Sequence, residues 1–465
     1  MERQDAHRGA SATANGGEAD VAASYIGALS ADPALARRSH LHLVQAHREQ
    51  GLELQGRLLC NVLRPRFISM DRTEELRRVS RILAGLLERV GEHLLASDAR
   101  LDLVAASEQE REIWAVDPGY PGVTVTSRLD SFMVDNHPMF VEYNAESPAS
   151  IGFCDCLTEV FTRSPGMEAW AGLGRLERFH VRRALLDSLL WAYRIRGGTG
   201  TPVIAIVDWD DVLTKRDFEL CAEYFRENGI RTVITDPRRL TYQAGRVWCG
   251  DEQVTLVYRR VLLHELLERA AEAEPLLRAY REGAVCMVNS PRSKLLHKKA
   301  VFALLSDHTL ALEMSREEQL VVDSTIPWTR FVVEGSTDYR GRSVDLIELL
   351  RTDQDQFALK PVDDYGGRGV ALGWDTEAAQ WQREIENALE RHYIVQERVE
   401  VPSEEFPAWN AENLDVLSLL VDTDPLLFRG ELGGILTRIS GDPLLNVTAG
   451  TGSTTPTFMV SQEAR

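Results

Sequence analysis

The stretch Ser127–Ser150, SRLDSFMVDNHPMFVEYNAESPAS, constrains this chain more than any other. Val123–Val134 is rich in Val, Thr, Ser and Phe, and Met139–Tyr143 carries Phe, Val and Tyr. Asp135-Asn136-His137-Pro138 between them has the composition of a turn, which predicts a β-hairpin with His137 exposed at its tip. Centring the turn on Asn136 pairs Asp130 with Glu142 and Arg128 with Asn144. Side chains alternate along a strand, so these four share one face. Leu129, Met133, Met139, Val141 and Tyr143 are left to line the core on the other. The polar face offers Asp, Glu and Asn oxygens beside an arginine. Hard cations such as Mg²⁺ take such oxygens, and the guanidinium suits an accompanying phosphate. A solvated face with cross-strand Arg–carboxylate pairs fits the same residues, and the stretch alone does not decide between the two.

The 465 residues carry 44% hydrophobic and 26% charged side chains, as soluble domains do, and the length suggests about three domains. No run of 18 apolar residues predicts a membrane helix. The net charge of −19 argues against nucleic acid and anionic membranes as general partners. Residues 1–20, polar and small, are expected to form a disordered lead-in without an apolar targeting core. The six cysteines show neither a disulfide framework nor a zinc spacing, and Cys154-Asp155-Cys156 is expected to bury two inert thiols. A cytoplasmic location follows by default.

Helical periodicity marks Ala22–Gln50 (with a break at Asp32-Pro33), Thr73–Ala96, Ser150–Phe161 and Arg175–Arg194. The linker Gly197–Pro202 then opens a strand–helix–strand unit: Val203–Val207, Thr214–Asn228 and Thr232–Thr235. Further strands at Arg246–Trp248 and Val254–Val261 and a helix over Leu262–Gly283 complete a small α/β domain. Asp208 at the end of its first strand reads as a helix cap. A strand Val285–Val288 and a helix Ser293–Leu305 with Lys294, Lys298 and Lys299 follow. The expected division is therefore 1–20 lead-in, 21–200 helical region with the hairpin, 201–284 small α/β domain, and 285–465 for the remainder.

The second informative stretch is Phe357–Gly373, FALKPVDDYGGRGVALG, a strand, a glycine loop and a strand. Gly366, Gly367 and Gly369 let backbone N–H groups approach phosphate oxygens, and Lys360 adds a point charge ahead of them. No helix follows with a Lys-Ser or Lys-Thr pair, so it is not a Walker A loop, and the strand behind it rules out a dinucleotide fingerprint. A plain hairpin turn fits this stretch taken alone. A helix over Thr376–His392 and a strand over Tyr393–Val399 carrying Gln396-Glu397 come next. Strands Leu414–Val421, Leu426–Phe428 and Gly433–Ile439 and a second glycine-rich loop, Asn446–Ser453, close the chain.

In this order the parts resemble the circularly permuted ATP-grasp family, related to glutathionylspermidine synthase. The residues that carry the resemblance are Arg128-Leu129-Asp130, Glu142–Pro148, Val288–Ser293, Lys360-Pro361 with its loop, Tyr393–Arg398, Arg438 and Asn446–Gly450, from about residue 55 to 460. The resemblance implies an α+β, circularly permuted ATP-grasp with an inserted small α/β domain similar to a pre-ATP-grasp domain. It implies that Asp130, Glu142 and Asn144 coordinate Mg²⁺ on ATP, and that Arg128 and Arg438 act on the transferring phosphoryl group. Lys299, with Lys298 competing for the role, and Lys360 would contact ATP together with Gly366, Gly367 and Gly369. Gln396 and Glu397 would hold adenine and ribose. No amidase domain precedes the ligase half, so glutathione and spermidine are not implied.

The activity implied is that of an ADP-forming carboxylate–amine ligase. A carboxylate takes the γ-phosphoryl group of ATP, and an amine then displaces phosphate from the acyl phosphate. Small-molecule or peptide carboxylates and amines are the expected partners, and a homodimer is compatible with the sequence. A small-molecule kinase and a non-catalytic nucleotide-binding scaffold are the competing classes. Arg260 and Arg292, near strand ends, are candidates for holding an acidic substrate, against the commoner use of such residues in salt bridges.

Overall fold

The computed structural model describes residues 16–170, 176–308, 310, 312–364, 368–442 and 452–461. Gly366, Gly367 and the Asn446–Gly450 part of the second glycine-rich loop lie outside the described residues, as do positions 1–15 of the expected lead-in. Residues 16–20, the rest of that lead-in, instead open a helix, Gly16–Ala31. Its neighbour Pro33–Gln50 starts at the expected break, where the Asp32 carboxylate accepts from the N–H groups of Ala34 and Leu35.

The long helix Met70–Leu95 is capped by Ser69 and buries Leu76, Val79, Leu83, Leu86, Leu87, Val90 and Leu94, the periodic stripe seen in the sequence. Among the described residues no helix is long and apolar enough to cross a membrane.

The sheet that matters most is antiparallel and joins distant parts of the chain. Its strand order is Ser403–Asn410, Asn413–Val421, Glu431–Ser440, Asp424–Phe428, Thr126–Val134 and His137–Asn144, and Ser453–Thr455 pairs with Glu431–Ser440. The hairpin is thus docked on the C-terminal strands, with Arg128 opposite Leu426.

The hairpin pairs Arg128 with Asn144 and Asp130 with Glu142, as the sequence predicts, but by a different route. The turn is the two-residue Asp135-Asn136, both at positive φ (47° and 70°), not the four-residue turn. That turn pairs Val134 with His137 and Ser131 with Phe140, and a bulge between Asp130 and Ser131 then restores the register at the polar end. The bulge also corrects the core face: Phe140 is fully buried, whereas Met139 and Val141, expected in the core, are half-buried.

The small α/β region has a parallel sheet ordered Cys286–Val288, Leu256–Arg259, Ile204–Val207, Thr232–Thr235. Its last strand lies past residue 284, so the expected boundary cuts the sheet. Leu262–Gly283 is two helices, Leu263–Glu268 and Glu274–Arg281, and Ser293–Leu305 divides into Ser293–His297 and Ala300–Ser306. Asp208 caps no helix: the next one, Lys215–Glu227, has Thr214 at its N-cap position. A third sheet, ordered Thr329–Phe331, Tyr393–Glu397, Phe357–Pro361, Ala371–Leu372, carries Lys360 and Gln396.

The bulge is testable by stability. Phe140→Ala is expected to cost about 3–5 kcal/mol in urea unfolding, as for a fully buried phenylalanine. Met139→Ala should cost clearly less, and equal costs would contradict the register described here.

Candidate active site

Alternation puts Arg128 and Asp130 on one face of their strand, and the paired strand puts Glu142 and Asn144 beside them. Arg128 Nε donates to Asp130 Oδ1 at 2.7 Å and its Nη2 to Oδ2 at 3.1 Å. Asn144 Nδ2 donates to Asp130 Oδ1 at 2.8 Å, and Arg438 Nη2 reaches Asp130 Oδ2 at 2.7 Å. Burial works to raise the Asp130 carboxyl, but the two guanidiniums outweigh it and hold the group well below the usual carboxylate range.

Glu142 meets a different cation. Lys299 Nζ lies 2.9 Å from Glu142 Oε1 and donates to the Asp364 carbonyl at 2.6 Å. Burial opposes ionisation of Glu142 too, and the ammonium of Lys299 reverses it. The sequence left Lys298 and Lys299 in competition, and the backbone separates them. Lys298 has an extended ψ of 128° between the two short helices, which sends the neighbouring side chains to different partners. Lys298 pairs with Glu110 and Asp363, both at 3.0 Å, so Lys299 is the lysine at the hairpin.

Lys360 Nζ donates to Gln396 Oε1 at 2.6 Å and to the carbonyl of Val141, the residue at the bulge, at 3.4 Å. Burial pushes its ammonium down to about 8, against the pull of Glu142. Gln396 is buried, whereas its neighbour Glu397 accepts from Tyr339 Oη and Arg340 Nη2 at 2.9 and 2.8 Å. Gly369 has φ +66°, and a Cβ there would meet Pro361 Cγ and Tyr393 Oη at 3.2 Å, so a side chain would be strained and crowded.

The two arginines considered for substrate separate as well. Arg260 is buried, its Nη1 donates to the Pro148 carbonyl at 2.6 Å, and its Nε has no hydrogen-bond partner. Arg292 donates to the Trp114 carbonyl at 2.8 Å and lines an open pocket with Glu92, Asp117 and Tyr120. The cysteine pair is buried, and burial raises both thiols, as expected of inert ones.

Asp422 and Asp424 complete the cluster, and sequence reasoning missed them. Arg438 bonds Asp422 through both its backbone N–H (2.6 Å) and its Nε, while its Nη2 lies 2.8 Å from Asp424 Oδ2. Burial pushes both carboxyls up, Asp424 the further because Asp130 and Asp422 are close to it. The signal in the sequence is Asp422-Thr423-Asp424 just before an apolar strand, which reads as an ordinary turn.

The donor set fits Mg²⁺. Asp130 and Glu142 are ionised neighbours on one face with an amide side chain beside them. Mg²⁺ is usually held by one or two carboxylates, with phosphate and water oxygens completing the octahedron. Among the described residues no group of three or more His, Cys, Asp or Glu side chains is placed to hold a metal by itself.

No family model matches the chain. Its sequence is 28% identical over 214 residues to the putative glutamate–cysteine ligase 2-3 of Frankia alni. That match covers 43% of this chain and 23% of the relative, so the chain spans under a quarter of the length of the curated protein it matches. The solved structure of a glutathione synthetase-like effector from Globodera pallida superposes with a TM-score of 0.60 at 11% identity, over 92% of this chain and 98% of that one. A putative γ-glutamylcysteine synthetase from Methylobacillus flagellatus gives a TM-score of 0.39 at 10% identity, over 77% and 83% of the two chains. The effector and this chain share one mixed helix-and-strand fold across nearly their whole lengths.

Lys360 gives a pH signature. Its folded value near 8 is below that of an unfolded lysine, so the penalty for burying the charge is complete below pH 8 and is relieved as pH rises toward the unfolded value. Lys360→Met should therefore gain about 1–2 kcal/mol at pH 7 relative to pH 10, set against a pH-independent cost for the Gln396 and Val141 acceptors it leaves unpaired. The gain should shrink in denaturant melts from pH 8 to pH 10, and a pH-independent gain would refute the burial argument.

Proposed function

We propose that this chain is an ATP-dependent ligase that joins a carboxylate to an amine through an acyl phosphate, releasing ADP and phosphate, on a circularly permuted ATP-grasp scaffold. The observation that carries the proposal is the meeting of one carboxylate-bearing hairpin with cations from three distant segments. Arg438 contacts Asp130, Lys299 contacts Glu142, and Lys360 contacts the Val141 carbonyl between them. The fold shared with the glutathione synthetase-like effector and the partial match to a protein named as a glutamate–cysteine ligase support the same reading.

The roles follow from charge and position. Asp130, Glu142 and Asn144 would hold Mg²⁺, which supplies charge neutralisation on the polyphosphate. Arg128 and Arg438 are fixed beside Asp130, where they stabilise charge on the transferring phosphoryl group without reorganising. Lys299 and Lys360, which meet Glu142 and the bulge carbonyl, would contact phosphate oxygens of ATP. Gln396 and Glu397 would take adenine and ribose, with Gly366, Gly367 and Gly369 giving backbone N–H groups to phosphate. Arg260, which is buried, and Arg292, which is half-buried, stay as candidates for binding a carboxylate substrate. Water must be kept from the acyl phosphate until the amine attacks it.

The test is release of ADP and phosphate by the purified chain, screened against amino acids, peptides and amines. Release is expected only when both a carboxylate and an amine are supplied, and chelation should stop it until Mg²⁺ is returned. Glu142→Gln and Asp130→Asn should each lower turnover by about 10²-fold or more. A phosphorylated product without free phosphate would make the protein a kinase instead.

A further inference from the structure

The buried charges behind the hairpin need an explanation that the reaction itself does not provide. Asp424 and Asp422 are fully buried, and Asp130 is 5% exposed. The strand Asp424–Phe428 runs between Thr126–Val134 and Glu431–Ser440, and Leu426 faces Arg128. Two residues further toward the site, Asp424 comes abreast of Asp130. Carboxyl groups crowded across paired strands destabilise a sheet unless a cation lies between them. Here Arg438 lies among the three aspartates, and its contacts with them set its geometry.

We propose that Asp422 and Asp424 are positioning residues, which fix the Arg438 guanidinium and the bulge beside Asp130 in the arrangement that phosphoryl transfer requires. The proposal rests on the ligase reading for its purpose but on separate contacts for its mechanism.

Asp422 takes Arg438 at two points, the backbone N–H on Oδ1 at 2.6 Å and Nε on Oδ2. With Nε held, the planar guanidinium has one orientation, and it places Nη2 at 2.7 Å from Asp130 and 2.8 Å from Asp424. Asp424 Oδ1 accepts the Ser131 N–H at 3.0 Å, which is the peptide at the bulge. Ser131 Oγ donates to the Thr423 carbonyl, and Thr423 N–H donates to the Ser131 carbonyl at 2.8 Å. The three residues 422–424 therefore hold the bulge from one side and Arg438 from the other.

The segment is itself anchored. Arg66 Nη1 donates to the Asp422 carbonyl at 2.9 Å and to Thr423 Oγ1, and Arg66 Nε pairs with Glu404 at 2.9 Å. The placement of Asp422 and Asp424 is thus determined from outside the site, as a support should be.

The experiment is a double-mutant cycle in the full chain, using Asp422→Asn and Asp424→Asn, which keep the shape and one acceptor oxygen, with Arg438→Lys. Asp422→Asn should lower kcat by about 10²-fold with KM for ATP changed less than about threefold, since a misplaced group acts on the transition state. In the Arg438→Lys background the same change should cost under about threefold, because residues acting through one group are not additive. Full additivity, or a loss of ATP affinity equal to the loss of kcat, would overturn the proposal. A second measurement needs no turnover: hydrogen exchange of the Arg438 Nε–H, followed by arginine-selective ¹⁵N NMR on the nucleotide-free protein. Exchange should quicken by about tenfold or more in Asp422→Asn, as expected for loss of a charge-assisted hydrogen bond. Unchanged exchange would sink the positioning role. Wild-type protein that never releases ADP would sink the ligase reading while leaving the exchange result to decide this one.

Discussion

One guanidinium holds the centre of this molecule together. Arg438 touches Asp130, Asp422 and Asp424, and those carboxylates come from two segments almost 300 residues apart in the chain. Without it, Arg128 alone would face three buried carboxyls, a cost that the surrounding hydrophobic burial would have to offset. With it, the same carboxyls form one bonded frame. Arg128 adds a second cation on the Asp130 side, and its Nε lies 3.9 Å from Asp424.

The frame explains why the hairpin docks where it does. Its apolar face, Leu129, Phe140 and Tyr143, enters the main core with Leu83, Leu87 and Val90 of the long helix. Its polar face is covered by the lysine-bearing segment and by the Lys360 strand. Lys299 and Lys360 reach adjacent residues of it, Lys299 the Glu142 carboxylate and Lys360 the Val141 carbonyl. The lysines lose hydration there, and the carboxylates repay part of that loss.

A second buried pair supports the hairpin from behind. Glu146 and Arg259 lie 2.6 Å apart with both side chains fully buried. Arg259 also donates to the Asn289 carbonyl, and the Asn289 amide bonds the backbone of Val125, Thr126, Ala145 and Glu146. These residues tie both ends of the hairpin to the parallel sheet of the small α/β region. The order of elements that the sequence suggests, with a separate small domain ending at residue 284, understates this link. The strand Cys286–Val288 belongs to the parallel sheet, and Asn289 immediately after it belongs to the hairpin.

Alternation and turn chemistry are local properties, so the amino-acid sequence determined the hairpin and its polar face, whereas the pairing of Asp130 with Glu142 needs the bulge as well. The lysine ahead of a glycine loop and the Gln-Glu strand end were legible for the same reason. The tertiary structure decided the rest. The bulge that moves Phe140 into the core depends on Asp424 accepting the Ser131 N–H, a contact across 293 residues that no local pattern contains. The choice of Lys299 over Lys298 depends on a helix break, and the break leaves Lys298 to Glu110 and Asp363, contacts that only folding creates. Asp422 and Asp424 look like a turn until Arg438 is beside them, because the worth of a buried charge is set by its partners and not by its neighbours in sequence.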